Sequence, residues 1–430
     1  MKEEQDRKSS NQEYSFIKEK IKEPPKNKKR IAFEIVLFAG AAVAFGLIAS
    51  FVFALTAPKL QEFFRKEEDP EVVTIPKDEI IEEVSKVLSV TPEVTPEQVV
   101  NVVEKDLESK DYISLYSEMY QVADSVKNSL VTVVGVSNNV DWLNNPYENE
   151  GQASGIVVAD NGQEFLILTD QSVVEDVEQI NVVFATGESV VAAQKKKHVN
   201  TGLVILAVER QLLAEESRKK IQPITLGNSL LLRLGTPILA VGSPLGTTDS
   251  VLSGNVTSLK TMSDTEDIRY PLIKTDMLGS SNGNGVLLNL NGEVVGIYTR
   301  ELSGISENGT ITAYGISELK GVIERLSNNL GIAYFGVKAK EVSKEDQEKY
   351  QMPAGVGIIS VAMESPAMNA GIQNGDIIVK IGSKEITNQR ELENSISGSE
   401  PEQLISVTAM RPGAEGYVEI QFDVTLGVMP

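Results

Sequence analysis

Cysteine is absent from the 430-residue chain, and histidine and tryptophan each occur once. Without cysteine there is no disulfide and no thiolate nucleophile, and a single imidazole makes a structural or catalytic metal site unexpected. The sequence also lacks an EF-hand loop and a Gly-Lys-Ser/Thr phosphate loop, so we expect no cofactor. Basic residues are scarce: 40 Lys and Arg against 61 Asp and Glu give a formal charge of -21. This balance argues against a nucleic-acid partner, which needs a basic surface.

One long apolar run lies near the amino terminus. Residues 35–57 carry no charge over 23 positions, and a helix of about 34 Å exceeds a bilayer core of roughly 30 Å. A cleaved signal peptide is the alternative, but the run is longer than a signal-peptide core and Pro58 follows it. We therefore predict a transmembrane helix over residues 31–57. Because basic residues precede the run, residues 1–30 are predicted to be cytoplasmic and the bulk of the chain extracytoplasmic.

Residues 58–118 are acidic and contain several prolines, which indicates a partly helical stalk. Thr95 followed by Pro96 is a typical helix start, because threonine caps the helix and proline fits its first position. Apolar residues recur at helical spacing again at Ile113, Tyr116 and Tyr120. We expect the helix that starts at Thr95 to pack on the next domain; a dedicated oligomerisation helix is the alternative.

The pattern changes to β after residue 130. Short β-branched runs alternate with turn signals such as Asp160-Asn161-Gly162, as far as about residue 314. Many strands with few helices are typical of barrels or of a sandwich, and the strand pattern leaves both open. Within this region a loop of small residues, 279–285, precedes a predicted β-hairpin. The Asn291-Gly292 pair between its strands favours a tight type I′ turn.

Residues 273–300, with a Thr-Asp pair, the small-residue loop and the pattern L-x-N-L-x-G-E-x-x-G-I, resemble the nucleophile region of the HtrA family of trypsin-like serine proteases. Similar stretches occur in the family's order at residues 154–174, 200–208, 226–229, 240–246 and 253–259. The resemblance implies a mostly β fold with a trypsin-like double β-barrel over residues 119–329, followed by a PDZ domain.

Residues 331–430 resemble the PDZ domain that usually accompanies HtrA proteases, most clearly at residues 365–386. The family's carboxylate-binding loop corresponds to Tyr334, Phe335, Gly336 and Val337. The resemblance implies that backbone N–H groups of this loop hold the terminal carboxylate of a peptide. Leu392 and Ile396, one turn apart on a predicted helix capped by Asn388, are expected to line an apolar pocket. The alternative is that these residues only pack the PDZ core and that the neighbouring domain closes the groove.

Carried over residue by residue, the catalytic triad is lost. The family's histidine corresponds to Ser172, its aspartate to Gly202 and its serine to Gly283. Ser281 is a fallback nucleophile if the loop is aligned with a shifted gap, but a hydroxyl at Ser172 is no general base near neutral pH. His198, the only imidazole, lies beside three lysines and is predicted to occupy a solvated surface turn.

Two further features of the loop region bear on catalysis and on anion binding. Lys274 is near Ser281 in sequence, but a Ser–Lys dyad is disfavoured because strand alternation separates the two side chains. Backbone N–H groups of residues 279–285 are expected to form a concavity that binds a carbonyl or carboxylate without cleaving it.

We interpret the sequence as a membrane-anchored, extracytoplasmic HtrA-like pseudoprotease. Its expected partners are C-terminal or unfolded peptide segments, which it would bind as a scaffold, chaperone-like factor or protease regulator. The rival interpretation is an active HtrA-like serine endopeptidase in envelope protein quality control with an atypical site. A third is an assembly role in the envelope. The resemblance also implies a homotrimer or association with active relatives.

Overall fold

The computed structural model describes residues 70–78, 108–140, 146–263, 265–304, 308–414 and 416–429, with the side chains of residues 138–150 left aside. The predicted cytoplasmic tail, the transmembrane helix and the helix start at Thr95 lie outside the described residues. Within the described residues, no helix is long and apolar enough to cross a bilayer. The described residues from 70 onward fold as one compact unit.

Helix α1, Ser109–Ser125, precedes the first strand, and its start is fixed by a hydrogen bond from the Glu108 N–H to Asp111 Oδ2 at 2.9 Å. The predicted helix is present, but Ile113, Tyr116 and Tyr120, whose spacing indicated it, are exposed, and Ala123 is its buried residue. Beyond the helix, the short 3₁₀ turn Lys127–Ser129 leads directly into the first sheet.

Seven described strands form an antiparallel sheet in the order β5-β4-β1-β2-β3-β7-β6. Their bounds are β1 Leu130–Val140, β2 Pro146–Asp160, β3 Glu164–Asp170, β4 Gln179–Phe184, β5 Ser189–Val191, β6 Ala193–His198 and β7 Leu203–Glu209. Strands β3 and β7 are apolar runs buried along nearly their whole length. The predicted turn between β2 and β3 is confirmed, because Asn161 Oδ1 accepts from the N–H groups of Gln163 and Glu164 at 3.1 and 2.7 Å.

Six described strands close into a barrel in the order β10-β13-β12-β11-β8-β9. Their bounds are β8 Pro237–Ser243, β9 Ser250–Met262, β10 Pro271–Leu278, β11 Asn284–Leu288, β12 Val294–Tyr298 and β13 Thr310–Gly315. The barrel and the first sheet share a core that includes Leu168, Leu203 and Val286. The strand pattern left a barrel and a sandwich open, and the closed six-stranded sheet shows that this part of the chain is a barrel.

The predicted hairpin is present as β11 and β12, but its type I′ turn is wrong. A type I′ turn needs positive φ at both central residues, and only Gly292 has it, at +79°. Asn289 replaces that geometry, because its Oδ1 accepts from the N–H groups of Asn291 and Glu293 at 2.9 and 3.0 Å. A register shift at Leu288 accommodates the longer connection.

Three described helices belong to the barrel region: α2 Glu215–Lys220, α3 Arg300–Gly304 and α4 Ile316–Ser327. Residues 70–78, predicted to be stalk, lie along α4. Asn328 holds the backbone of Val73, with Oδ1 accepting at 2.9 Å and Nδ2 donating at 2.7 Å. Lys320, which is buried, donates to Asp78 at 2.8 Å. This part of the stalk is therefore packed on the domain.

The carboxyl-terminal domain has its own core. Strands β14 Ala333–Tyr334 and β21 Gly427–Val428 pair with each other, and a second sheet contains β15 Val337–Glu341, β16 Val356–Val361, β17 Ile377–Ile381, β18 Lys384–Glu385, β19 Leu404–Gly413 and β20 Gly416–Thr425. The helices are α5 Lys344–Tyr350, α6 Pro366–Ala370 and α7 Gln389–Ser397. The predicted cap of α7 is confirmed, because Asn388 Oδ1 accepts from the Glu391 N–H at 3.0 Å.

Candidate functional site

The positions that the resemblance assigns to the triad lie on loops at the junction of the first sheet and the barrel. Ser172 sits in the 3₁₀ turn Gln171–Val173, which follows β3, and Gly202 directly precedes β7. These two loops touch, because the Gln171 N–H donates to the Gly202 carbonyl at 2.7 Å. Gly283 directly precedes β11 in the barrel.

The short helix α3 contacts all three positions. Arg300 donates through its backbone N–H to Asp170 Oδ2 at 2.7 Å, two residues before Ser172. Glu301 faces Gly202, where a Cβ would lie 3.5 Å from its Oε2. Ser303 Oγ donates to the Gly283 carbonyl at 2.8 Å. One short helix thus contacts the loops of all three positions.

The Ser172 hydroxyl belongs to a network with a buried carboxylate. Asp170 Oδ1 accepts from the N–H and the hydroxyl of Ser172 at 2.9 and 2.6 Å. The Arg300 guanidinium approaches from the other side and donates to Ser172 Oγ at 3.4 Å and to the Gln152 carbonyl. Asp170 is 4% exposed. Ser172 is held by a carboxylate and a guanidinium, and neither group supplies the imidazole that acyl transfer in this family requires.

Gly202 adopts a left-handed conformation with φ of 65°, which favours glycine over most residues. Partial burial, and secondarily the charge of Asp170, raise the pKa of Glu301. The neighbourhood of Gly202 is therefore already rich in negative charge. An aspartate at this position would add a third carboxylate beside two existing ones.

The loop that contains Gly283 leaves no room for a side chain there. A Cβ at Gly283 would lie 2.9 Å from the carbonyl oxygens of both Pro244 and Ser280. Two N–H groups of the loop already have acceptors: Ser280 donates to the Pro244 carbonyl at 2.8 Å and Gly283 to the Ser280 carbonyl at 2.9 Å. The predicted anion-holding concavity is therefore wrong for these two groups, because each donates to a backbone carbonyl.

Ser281, the fallback nucleophile, and Lys274, its possible dyad partner, are both on the surface. Ser281 is exposed at the loop surface, and no imidazole contacts its hydroxyl among the residues that the structure describes. Lys274 is likewise exposed, on strand β10. A barrel residue that the sequence did not single out, Asn284, instead exchanges hydrogen bonds with the Ser154 backbone at 2.8 and 3.1 Å. This pair joins β2 of the first sheet to β11 of the barrel.

The predicted surface position of His198 is wrong. His198 is fully buried, with Nδ1 at 2.8 Å from Thr201 Oγ1 and Nε2 at 3.4 Å from the Tyr270 hydroxyl. Its ring stacks edge-on against Tyr270, with centroids 5.9 Å apart. An irregularity in β6 between Gln194 and Lys197 redirects the end of the strand inward. Burial lowers the pKa of His198 to about 4, and both of its ring nitrogens have partners.

The predicted carboxylate-binding loop already contacts a carboxylate of the same chain. Asp267 Oδ2 accepts from the N–H of Phe335 at 2.7 Å, and Asp267 Oδ1 accepts from the N–H groups of Gly336 and Val337 at 2.8 and 2.9 Å. Tyr334 donates its hydroxyl to Glu266 at 2.7 Å. These contacts correspond to the alternative in which the neighbouring domain closes the groove.

The two residues predicted to line the apolar pocket are buried inside the PDZ domain. Leu392 and Ile396 on helix α7 are fully buried and pack in the same core as Phe335. On the same helix, Glu393 accepts from the backbone N–H and the Nε of Arg269 at 3.4 Å. No group of three or more acidic or imidazole side chains with metal-binding geometry occurs within the described ranges.

Comparison with known proteins finds two domain families in the chain. Residues 153–297 match the trypsin-like peptidase domain, and residues 333–422 match the PDZ domain. A "Probable periplasmic serine endoprotease DegP-like" of Hahella chejuensis is 31% identical over 285 residues, which cover 64% of this chain and 58% of that relative. The "Serine protease Do-like HtrA" of Lactococcus lactis subsp. lactis is 23% identical over 327 residues, covering 70% and 78%.

The chain belongs to the HtrA family. It spans about three fifths of the length of the DegP-like relative from Hahella chejuensis. Among solved structures, the HtrA-type protease AlgW with decapeptide matches with a TM-score of 0.54 and 20% identity, over 73% of this chain and 99% of that chain. At this identity the likeness shows the HtrA fold. The mostly β architecture, a trypsin-like barrel followed by a PDZ domain, is thereby confirmed.

Residues of this HtrA chain that sequence reasoning missed are Asp170, Arg300, Glu301 and Asp267. Arg300 and Glu301 directly follow the Tyr298-Thr299 end of the hairpin, and nothing local distinguishes them from other surface charges. Asp267 lies in the connection between β9 and β10, and only the packing of the PDZ domain against the barrel explains it. Each residue owes its position to contacts with segments far away in sequence.

The single imidazole of this HtrA chain offers a direct test of its burial. We expect the His198 ring C–H resonance to titrate near pH 4, because burial disfavours the charged ring. Since the folded pKa lies below the unfolded value of about 6.5, the stability it contributes is complete above about pH 6.5. That stability, about 3 kcal/mol at most, is lost as the pH falls through about 4. NMR titration measures the pKa, with His198→Gln as the control for assignment; a midpoint near pH 6.5 would contradict the burial.

Proposed function

We propose that this HtrA-family chain is a membrane-anchored, extracytoplasmic pseudoprotease that binds C-terminal or unfolded peptide segments. Its role is that of a scaffold, a chaperone-like factor or a regulator of active proteases. The observation that carries the proposal is the position of helix α3, which contacts the loops of Ser172, Gly202 and Gly283 through Arg300, Glu301 and Ser303.

Peptide hydrolysis by this family requires a nucleophile, an imidazole that takes its proton and a carboxylate that orients the imidazole. The lack of space around Gly283 argues against a serine side chain there. The negative charges around Gly202 argue against an added aspartate. His198 is engaged by Thr201 and Tyr270, so it does not serve Ser281. Without the triad, residual catalysis of roughly 10³–10⁴ over water remains, too little for useful peptide hydrolysis.

The rival, an active endopeptidase with an atypical site, is favoured by the relatives, which are named as serine proteases. Exposed Ser281 is the side chain on which such an activity would depend. For that activity, a base would have to reach the Ser281 hydroxyl. The contacts of His198 argue against it.

Casein digestion tests the two functions. We expect the purified chain, freed of host proteases, to hydrolyse casein no faster than its Ser281→Ala variant. Gly283→Ser alone should give no activity either, because a lone hydroxyl has no base and must also displace the Pro244 carbonyl. Turnover by the wild type that disappears in Ser281→Ala would establish the endopeptidase and refute the pseudoprotease.

Peptide binding is proposed for the PDZ domain on two grounds. The PDZ match covers residues 333–422, and related HtrA-type structures carry a decapeptide or a tripeptide. The N–H groups of Phe335, Gly336 and Val337 converge on one carboxylate, which demonstrates that their geometry suits this group. Peptide would then add as a strand beside β15, with main-chain hydrogen bonds providing affinity.

The isolated PDZ domain, residues 331–430, lacks Asp267 and tests this binding without its internal contact. We expect it to bind decapeptides that end in a free carboxylate and an apolar residue, measured by fluorescence anisotropy. Amidation of the terminal carboxylate should abolish binding, because three N–H donors lose a charged acceptor. Equal binding of free and amidated peptides would show that the loop does not read C-termini.

The membrane anchor is proposed from the apolar run at residues 35–57, and the orientation from the basic residues before it. The name of the Hahella relative, a periplasmic protease, supports an extracytoplasmic position for the folded domains. Protease added to spheroplasts should digest the barrel and PDZ domains and leave residues 1–30 protected. Protection of the PDZ domain in intact spheroplasts would reverse the proposed orientation.

A further inference from the structure

The contact between Asp267 and the PDZ loop reproduces the bonds that a peptide C-terminus would make. Three N–H groups, of Phe335, Gly336 and Val337, donate to its two carboxylate oxygens at 2.7 to 3.0 Å. The Asp267 N–H in turn donates to the Val337 carbonyl at 2.7 Å. That last bond is the main-chain bond expected of a peptide that adds to β15 as a strand.

The neighbours of Asp267 extend the contact across the groove. On one side Glu266 accepts from the Tyr334 hydroxyl at 2.7 Å. On the other side Arg269 reaches Glu393 on helix α7 at 3.4 Å. Residues 266–269 therefore contact both the carboxylate-binding loop and helix α7.

The contact is held in spite of two unfavourable features. Asp267 adopts φ of 59°, which is uncommon for a residue other than glycine. It is also only 3% exposed, and burial raises its pKa to about 6, so it is ionised at neutral pH. Hydrogen bonds from three N–H groups to a charged acceptor offset these costs. Strained conformations persist where surrounding contacts determine them, as they do here.

A second carboxylate cannot share these donors, because each backbone N–H carries one hydrogen and all three already point at Asp267. We propose that Asp267 is an internal ligand of the PDZ domain and that an incoming peptide C-terminus must displace it. The inference rests on the proposed peptide-binding function of this loop. It adds a closed resting state in which the barrel domain occupies the site.

The closed state links peptide binding to the barrel. Asp267 lies in the connection between β9, which ends at Met262, and β10, which begins at Pro271. Tyr270, in the same connection, makes edge-to-face contacts with His198 of β6 and Tyr314 of β13. Displacing Asp267 would therefore move part of the β9–β10 connection, which Tyr270 anchors in the core. By linkage, any partner that moves this connection changes peptide affinity, and peptide changes the partner's affinity equally.

The expected size of the effect follows from competition. When only a fraction of molecules has an open loop, the apparent dissociation constant equals the intrinsic one divided by that fraction. Removing the Asp267 carboxylate opens the loop in every molecule. We expect peptide affinity to rise at least about tenfold, which corresponds to a loop that is open in about a tenth of wild-type molecules or fewer.

The test uses the full chain in detergent and a fluorescent decapeptide pool with randomised interior, a C-terminal leucine and a free carboxylate. Asp267→Asn keeps the size and the tolerance of positive φ but replaces one acceptor oxygen with an amide that donates. Asp267→Gly, which adopts positive φ without strain, is the second variant. Asp423→Asn, an exposed aspartate on β20, is the matched control. Thermal unfolding confirms that each variant is folded.

We expect both Asp267 variants to bind the pool at least about tenfold more tightly than wild type, and Asp423→Asn to match wild type. Equal affinity of all four proteins for the free-carboxylate pool, with an amidated pool not bound, would overturn the inference and leave the peptide-binding function intact.

Hydrogen exchange of the Phe335, Gly336 and Val337 amides provides a readout without peptide. Exchange should be slow in wild type and at least about tenfold faster in both Asp267 variants, because Asp267→Gly removes the acceptor and Asp267→Asn replaces the charged acceptor with a neutral amide. Unchanged exchange would contradict the closed state. A third outcome is faster exchange in the variants while free-carboxylate and amidated pools bind equally. That result would refute both the peptide-binding function and the role of Asp267 as an internal ligand. It would still support the contact between Asp267 and the three N–H groups.

Discussion

The hydrogen bond from the Arg300 N–H to the buried Asp170 carboxylate fixes helix α3 at the junction of the first sheet and the barrel. From this position Glu301 faces Gly202 and Ser303 holds the Gly283 carbonyl. The three positions that the sequence resemblance assigns to the triad thus contact one short helix.

The PDZ domain follows the same principle at its carboxylate loop. Charge-assisted hydrogen bonds are stronger than neutral ones, and a desolvated carboxylate strengthens them further. Asp267 makes such bonds with three N–H groups that a peptide would otherwise use. If the loop binds peptide C-termini as proposed, binding would therefore depend on competition between the Asp267 carboxylate and the carboxylate of the peptide.

Local patterns in the sequence predicted the β runs, the hairpin after residue 285 and the Asn388 cap, whereas the family resemblance located the PDZ loop. Each of these local patterns depends on residues within a few positions of one another. The contacts of Arg300 and Asp267 join segments tens of residues apart or more, and no local pattern encodes them. His198 was misplaced because three neighbouring lysines suggested solvent, whereas the irregularity in β6 turns only the last residue inward. The turn at Gly292 was misassigned because Asn289 closes a longer connection.

Reaction with a fluorophosphonate probe measures most directly whether any serine of the chain is activated, because only a serine with a lowered barrier to acylation or phosphonylation reacts. An active HtrA protease labelled in parallel, with and without heat denaturation, serves as the control. We expect no serine of the native chain to be labelled above the denatured background, with Ser172 held by Asp170 and Ser281 without a base. Stoichiometric labelling of Ser281 or Ser172 in the native chain would contradict the pseudoprotease assignment.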